Sequence, residues 1–545
     1  MVQLSRKALS QQSKSKSTIA QTKLMIAFVK IFLILIAGSI IGTNLAGYEI
    51  SSSSSLPSPT TSTTNAAQHP VSIVGGAGGD KAETTSTTNA AQHPVSIVGD
   101  AGGDEADHMH VVFSTACSLS HDWQSYLFFF HAMLHKQRGD VTRIVAGCSP
   151  EDEIKMRELH EKQFSVMSPN FLIHFTPEYG KQLVDEGYGY QTTKYWNKPF
   201  SLKHWMEHRF GYVWDDDDSK VTVPEFDDHI VVLVDPDMLM QKPFVNDFSK
   251  MPLEQWNKYY REKGSDELIG KVKQGHPAAQ EYSFGDQWLR HVKDNLDEIV
   301  GPDSPVHDVT NEEARLVFSA GPPYWMTARD TFRISKKWTE FLPGIFKHHP
   351  QFMAEMYGYC MAAAHLGLRH QMARGMMVSN VGMTAGEGWS FLPKDPQACD
   401  ISRYAETVPN VLHFCQRYTI GEFFINKYLF PTDILSCEHP LMELPPTDIL
   451  ETTWYSHFGD GSIVDYDKSR DKIERYRNAF MICTLFPAIN AAAKFYKDQH
   501  CDKNDPNTVY DLTYNHFRSD RGIELEAQGN KKRANELKKG IQPKK

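Results

Sequence analysis

Two aspartates separated by one residue follow an apolar stretch in the middle of the chain. Residues 229–234 read HIVVLV, which is typical of a buried strand, and Asp235 and Asp237 come directly after it. Two such crowded carboxylates can hold a hard divalent cation, which in turn can bind a diphosphate. The alternative is an exposed turn whose aspartates bond their own backbone. We interpret the pair as a candidate metal site.

The same spacing occurs twice in a second acidic run, the four aspartates at residues 215–218. No apolar strand precedes this run, so nothing in the sequence would hold its carboxylates at one edge of a sheet. The pattern predicts a solvated loop.

Alternating apolar strands and helical patterns surround the acidic pair. Strands are predicted at 110–117, 142–149, 171–175 and 229–234, and helices at 123–137, 151–163 and 201–208. This alternation indicates an α/β fold with an open, mostly parallel sheet flanked by helices, which binds ligands at the carboxyl ends of its strands. No GxGxxG follows the first strand, so a dinucleotide-binding fold is not indicated.

Several short blocks resemble one family in their order and spacing. They are Trp123-Gln124, 142–145 (TRIV), 197–200 (NKPF) with Trp205, 232–244 (VLVDPDMLMQKPF), 355–359 (EMYGY) with 362–370, and 409–414 (PNVLHF) with Tyr418. Together they resemble the plant and algal hydroxyproline O-arabinosyltransferase and peptidyl serine α-galactosyltransferase group of Golgi glycosyltransferases. Asp235 stands where the group often has Glu. The resemblance implies a GT-A-like fold and a UDP-sugar donor.

The resemblance also implies a metal site of three residues for Mn²⁺ or Mg²⁺. Asp237 would be the direct ligand, Asp235 would bind the metal or the ribose, and His413 would be the third ligand. A histidine in the core, hydrogen-bonded to backbone, is the alternative for His413.

Three more residues are implied to touch the donor. Glu355 would lie nearest the sugar in a reaction that retains the anomeric configuration, through either a carboxylate nucleophile or a front-face attack. An acid stabilised by a helix N-terminus is its alternative role. Thr115 could contact uridine, and Lys198 could pair with a phosphate or with a surface carboxylate.

The N-terminal part of the sequence predicts a membrane anchor. Residues 24–46 are apolar with one charge, and the preceding tail, 1–23, carries basic residues and no acid, which favours a single-pass type II orientation. A cleaved signal peptide is the alternative. Residues 47–107 are rich in Ser, Thr and Gly and contain a tandem repeat, 60–80 and 84–104, as expected of a disordered stem.

The rest of the chain divides into a predicted catalytic domain, 108–455, and a helical C-terminal extension with a basic tail, 456–545. A helix is predicted at 471–499. Eight cysteines can form disulfides in an oxidising lumen; Cys483–Cys501 is one candidate pair, but the connectivity cannot be read from the sequence. The net charge of −10 gives no reason to expect a nucleic-acid partner.

The leading hypothesis is a metal-assisted glycosyltransferase of the Golgi or ER membrane, with its catalytic domain in the lumen. It would transfer arabinose to hydroxyproline in a secreted protein, or galactose to serine. A membrane-tethered, catalytically silent sugar-binding module is the alternative from another class. A metal-dependent phosphoester hydrolase is a third possibility, for which the sequence shows no further ligand cluster.

Overall fold

The computed structural model describes residues 108–182, 194–264, 270–383, 387–395, 397–421, 423–428, 430–453, 455–457, 463–465, 473–510 and 513–514. The predicted tail, anchor, stem and basic C-terminus lie outside the described residues and stay predictions. The strands are β1 Met109–Ala116, β2 Asp140–Ala146, β3 Phe171–Thr176, β4 Ile230–Val234, β5 Met238–Met240, β6 Ala278–Glu281, β7 Ala320–Thr327, β8 Gln371–Ala373, β9 Met377–Val378, β10 Val411–His413, β11 Tyr418–Ile420, β12 Phe423–Ile425, β13 Leu441–Met442, β14 Tyr455–His457, β15 Ile463–Asp465 and β16 Thr513–Tyr514.

Six of the described helices are short, with four to seven residues, and six are longer, with 12 to 28 residues. They are α1 Leu119–Leu134, α2 Pro150–Gln163, α3 Tyr179–Gln182, α4 Asn197–Phe210, α5 Lys258–Lys263, α6 Gln287–Arg290, α7 Leu296–Val300, α8 Asn311–Val317, α9 Ala328–His348, α10 Ala354–His365, α11 Ile449–Thr452 and α12 Ile473–His500. All seven elements predicted around the acidic pair are present, with ends shifted by a few residues.

A seven-stranded sheet organises the molecule, in the order β3-β2-β1-β4-β7-β6-β8. Strand β7 runs antiparallel to both of its neighbours, and the other four pairings are parallel. The fold is therefore α/β, and its sheet is mixed but mostly parallel, as predicted. The carboxyl ends of β1, β2, β3, β4, β6 and β8 all lie along one edge.

Strand β4 is buried on both faces because helices cover both sides of the sheet. Val232 and Val234 pack into a core shared with α1 and α12, while Val231 and Leu233 pack into a second core shared with α4, α9 and α10. A continuous apolar run is what a central strand with two covered faces requires.

Helix α12 lies within the first core although the sequence placed it in a C-terminal extension. Among the described residues, α12 is the helix long and apolar enough to cross a membrane, but 61% of its most apolar window is buried inside the fold. Its apolar side chains pack against α1 and β11. Packing therefore accounts for its composition.

Three disulfides tie the described part of the chain together. They are Cys117–Cys148, Cys399–Cys483 and Cys437–Cys501. The candidate pair Cys483–Cys501 was wrong, because Cys483 lies within α12, Cys501 directly follows its last residue, and each meets a cysteine from another segment. Cys117 and Cys148 follow β1 and β2, so their bond joins two strand ends at the carboxyl edge of the sheet.

Candidate active site

The acidic pair occupies the turn between β4 and β5, at the carboxyl edge of the sheet. The Met238 amide donates to the Asp235 carbonyl over 3.2 Å, which closes the turn. Strand β5 then pairs antiparallel with β10, so Met238 lies opposite His413. The Phe414 amide donates to the Asp237 carbonyl over 2.9 Å. Strand pairing thus brings together residues that are 176 positions apart.

Asp235, Asp237 and His413 form one cluster of metal-ligating groups. Their ligand atoms lie within 4.8 Å of one another. His413 Nε2 is 3.2 Å from Asp237 Oδ1 and 3.8 Å from Asp235 Oδ2. Asp237 is only 3% exposed. The structure thus brings together the three residues that the sequence analysis named as candidate metal ligands.

Two lysines compensate the negative charge of the pair. Lys198 Nζ, at the start of α4, lies 2.8 Å from Asp235 Oδ1. Lys427 Nζ, just after β12, donates to Asp237 Oδ2. Both lysine side chains are 18% exposed, so these ion pairs are only partly open to solvent.

Lys198 also connects the acidic pair to Glu355 on α10. Lys198 Nζ is 3.5 Å from Glu355 Oε1, which is an ion-pair distance and too long for a hydrogen bond. Burial and the Asp235 charge raise the pKa of Glu355 to about 7, although Lys198 acts to lower it. Glu355 therefore changes its charge near neutral pH, as acids and nucleophiles in active sites often do.

The charges within the cluster oppose the effect of burial on each pKa. Burial alone would raise the pKa of Asp237, but His413 and Lys427 outweigh it and hold that pKa well below its ordinary value. Burial would lower the pKa of His413, but Cys415 and the Asp237 carboxylate raise it. A metal ion needs a neutral imidazole, so metal binding here would release a proton.

The donor set fits a divalent metal of the Mn²⁺ or Mg²⁺ type. It offers two carboxylates and one imidazole, and carboxylate oxygens are ligands that suit both metals. The residues leave coordination positions for other ligands, because three side chains do not complete an octahedron.

Thr115 lies outside the cluster. Its buried hydroxyl donates to the Ile144 carbonyl over 3.3 Å and accepts from Arg143 Nε over 3.0 Å. The Arg143 guanidinium continues to Asp122 over 2.8 Å. These contacts lead toward β2 and α1, so the structure gives Thr115 a place in the core packing, and its predicted contact with uridine stays a prediction.

The chain is distantly similar in sequence to a named glycosyltransferase. No family model matches the chain. One curated relative, the peptidyl serine alpha-galactosyltransferase of Arabidopsis thaliana, is 23% identical over 274 residues, which cover 50% of this chain and 27% of that protein. The chain thus spans about a quarter of the length of that relative. The sequence similarity supports a relation to a glycosyltransferase.

Two solved structures are also similar to the chain. A galactosyltransferase LgtC, solved with donor and acceptor sugar analogs, is 12% identical and matches 56% of this chain and 87% of its own, with a TM-score of 0.29. A bifunctional glycosyltransferase, WbbM, is 9% identical and matches 60% of this chain and 47% of its own, with a TM-score of 0.30. TM-scores of this size do not establish a shared fold.

Proposed function

We propose that the chain is a metal-assisted glycosyltransferase that transfers a sugar from a UDP-sugar to a hydroxyl of a polypeptide. The observation that carries this proposal is the cluster of Asp235, Asp237 and His413 at the carboxyl edge of the sheet, flanked by Lys198 and Lys427. The similarity to a named glycosyltransferase supports it.

The charges of the cluster suit a nucleoside diphosphate. Asp237, Asp235 and His413 would hold Mn²⁺ or Mg²⁺, and such an ion supplies charge stabilisation to a departing diphosphate. Lys427 and Lys198 pair with the carboxylates and can turn to phosphate oxygens, because a lysine ammonium on a flexible stem acts as a movable point charge. Cations that are already in place when the bond breaks lower the activation barrier, because they need no reorganisation in the transition state.

We place Glu355 beside the anomeric carbon and propose retention of configuration. In the nucleophilic route, a Glu355 oxygen forms a bond to the anomeric carbon while the bond between that carbon and the diphosphate oxygen breaks. The acceptor oxygen then displaces Glu355 from the anomeric carbon, and the proton of the acceptor hydroxyl passes to a diphosphate oxygen. The contact between Glu355 and Lys198 supports this placement, because it sets the carboxylate next to the acidic pair.

The relative favours galactose as the sugar and serine as the acceptor residue. Arabinose and hydroxyproline remain the second candidate pair, on the blocks at 197–200, 232–244 and 355–359. We propose a type II protein of the Golgi or ER membrane with a lumenal catalytic domain. Three disulfides among the described residues support an oxidising compartment.

The test is UDP release by the full-length chain in detergent, with Mn²⁺, Mg²⁺ or EDTA. UDP-galactose and UDP-arabinofuranose are offered as donors, and serine and hydroxyproline peptides as acceptors. We expect metal-dependent turnover with one donor, lost in Asp237→Asn and kept in the matched loop variant Asp217→Asn. Metal-dependent binding of UDP without turnover on any donor would instead support the silent binding module.

A further inference from the structure

A tyrosine that the sequence analysis did not name lies at the same edge of the sheet as the acidic pair. Tyr282 follows β6 directly. Strand β6 is parallel to β4, because both run antiparallel to β7, which lies between them. The Tyr282 side chain is partly buried, and its hydroxyl forms no hydrogen bond with the residues that the structure describes. The phenol therefore has hydrogen-bonding capacity that the described protein groups do not use.

The segment around β7 fixes the position of Tyr282. The Tyr282 amide donates to the Ser319 carbonyl over 2.8 Å, and the Ser319 hydroxyl donates to the Tyr282 carbonyl over 2.6 Å. The ring lies against Gly321, where an added Cβ would be 2.0 Å from Tyr282 Cδ2. A glycine at this position allows the ring to approach the backbone of β7 closely. Both the backbone and the ring of Tyr282 are thus held in place.

The Tyr282 hydroxyl lies near the acidic groups of the candidate site. Burial raises the pKa of Tyr282 well above its ordinary value, and Asp235, Cys415, Glu387 and Asp237 add to the rise. Nearby negative charges act on a phenol in this direction. The hydroxyl therefore keeps its proton at neutral pH, so it can donate one hydrogen bond and accept others.

Two buried polar atoms in the same region also lack a partner among the described residues. They are the Tyr324 hydroxyl and Glu355 Oε1. Burial raises the pKa of Tyr324, and Glu355 and Tyr282 are among the groups that add to the rise, so both lie near the Tyr324 hydroxyl. Buried polar atoms without a hydrogen bond are uncommon in proteins and call for an explanation. A ligand with hydroxyl groups supplies one.

The chemistry of these groups suits the sugar of the donor. A sugar hydroxyl can donate to a carboxylate such as Glu355 and accept from a phenol at the same time. The proposed function places Glu355 beside the anomeric carbon, so a hydroxyl bound in this region belongs to the sugar. The acceptor offers a single hydroxyl, which the transfer itself consumes, whereas the sugar offers several.

We propose that the Tyr282 hydroxyl binds a hydroxyl group of the donor sugar and helps to select that sugar. This inference rests on the proposed function, since it takes the ligand to be a UDP-sugar. Tyr282 is then a specificity residue for the sugar, while the metal cluster and its lysines bind the diphosphate.

The test compares the binding of UDP and of a UDP-sugar to the full-length chain in detergent with Mn²⁺, without acceptor. Calorimetry gives the dissociation constants for UDP, UDP-galactose and UDP-arabinofuranose. Tyr282→Phe should weaken binding of the preferred UDP-sugar about fivefold, because one hydrogen bond is lost. It should leave the binding of UDP unchanged. Tyr212→Phe is the matched control, because the Tyr212 hydroxyl donates to Asp227 over 2.8 Å, outside the candidate site.

Derivatives of the preferred donor that each lack one sugar hydroxyl identify the partner of Tyr282. One derivative should bind the native chain about fivefold more weakly, and Tyr282→Phe should weaken its binding no further. A variant that acts only through the fold would weaken every derivative alike.

Three results would overturn the assignment of Tyr282. They are equal binding of the UDP-sugar by the native chain and Tyr282→Phe, an equal loss for UDP and UDP-sugar, and a loss that persists with every derivative. Metal-dependent turnover together with any of these results keeps the glycosyltransferase and removes the sugar contact. Sugar binding that depends on Tyr282, without turnover on any acceptor, keeps the contact and removes the transferase.

Discussion

Two regions of this chain contain aspartates at the same spacing, and the structure gives them different surroundings. Asp235 and Asp237 follow β4 and lie within hydrogen-bonding range of Lys198, Lys427 and His413. The aspartates at 215–218 lie on the surface between α4 and β4, as predicted. The residue type and spacing are the same, so the difference comes from what precedes each pair.

The surface run satisfies its carboxylates locally. Asp215 accepts from the Asp217 amide over 2.9 Å, and Asp217 accepts from the Ser219 amide over 3.2 Å. Lys220 lies within 4 Å of both, and Asp218 pairs with Arg333 of α9. These are turn and surface interactions, and none of them brings in a histidine.

The buried strand explains why the common Asp-x-Asp spacing forms a candidate site in one region and a surface turn in the other. A strand buried on both faces ends at a defined point, and its carboxyl edge meets the ends of its parallel neighbours. A loop has no such constraint. The first test of the comparison is therefore the catalytic consequence of removing one charge from each region.

Asp237→Asn should abolish most of the proposed turnover, by at least about a hundredfold, because the metal loses its most buried ligand. Asp217→Asn should change turnover by less than about twofold. UDP release at saturating Mn²⁺ measures both. A loop variant as damaging as the strand variant would break the distinction between the two regions.

Lys427→Met should destabilise the fold by about 3 kcal/mol, because it leaves the buried carboxylate of Asp237 without its ammonium partner. Lys220→Met, the matched change in the surface run, should cost less than about 0.5 kcal/mol because its ion pairs are exposed. Urea unfolding with and without Mn²⁺ measures the difference. Mn²⁺ should restore much of the stability of Lys427→Met, since a bound cation replaces the lost charge.

Lys198→Gln should shift the pH dependence of turnover upward. Glu355 has a pKa of about 7, and Lys198 acts to lower it, so removing the ammonium raises the pKa further. A nucleophile must be ionised, so turnover rises with pH and the rise moves to higher pH. A shift of one pH unit reduces turnover about tenfold at the acidic side. Lys203→Gln, on the surface of α4, is the control.

An unchanged pH profile in Lys198→Gln, with a simple loss of turnover at every pH, would mean that Glu355 does not act as an ionised group. The front-face route would then be favoured, because it needs no carboxylate nucleophile.

The sequence predicted strands β1 to β4 of the seven-stranded sheet and missed β6, β7 and β8. The four predicted strands are continuous apolar runs, a strong local signal. Strand β7 reads AGPPYWMT, and two prolines argue against a central strand because proline has no amide to donate. The structure accommodates them with a register shift at Gln280 opposite Gly321. A tertiary arrangement of this kind has no local signature.

The proximity of the candidate site residues was predictable to the extent that they sit in recognisable sequence blocks. Asp235, Asp237, Lys198, Glu355 and His413 were all named from the sequence, and the structure brings these five together. Lys427 was missed, because it lies 190 residues from Asp237 after a three-residue strand. Nothing in the spacing of FFINKYLF distinguishes this lysine from others on the surface.

A small effect is also expected at Asp218, the member of the surface run with a partner outside the loop. Its carboxylate lies 2.5 Å from Arg333 Nη2, and 45% of the Asp218 side chain is exposed. Water screens such a pair, so Asp218→Asn should cost about 0.5 kcal/mol of stability and leave turnover unchanged. Arg333 keeps a second partner, the buried Asp330, 3.1 Å away. Urea unfolding at low and high salt measures the cost, which should shrink as salt rises. A loss as large as that of Lys427→Met would show that the surface run contributes to the fold as strongly as the site does, and the contrast between the two acidic regions would then be one of catalysis alone.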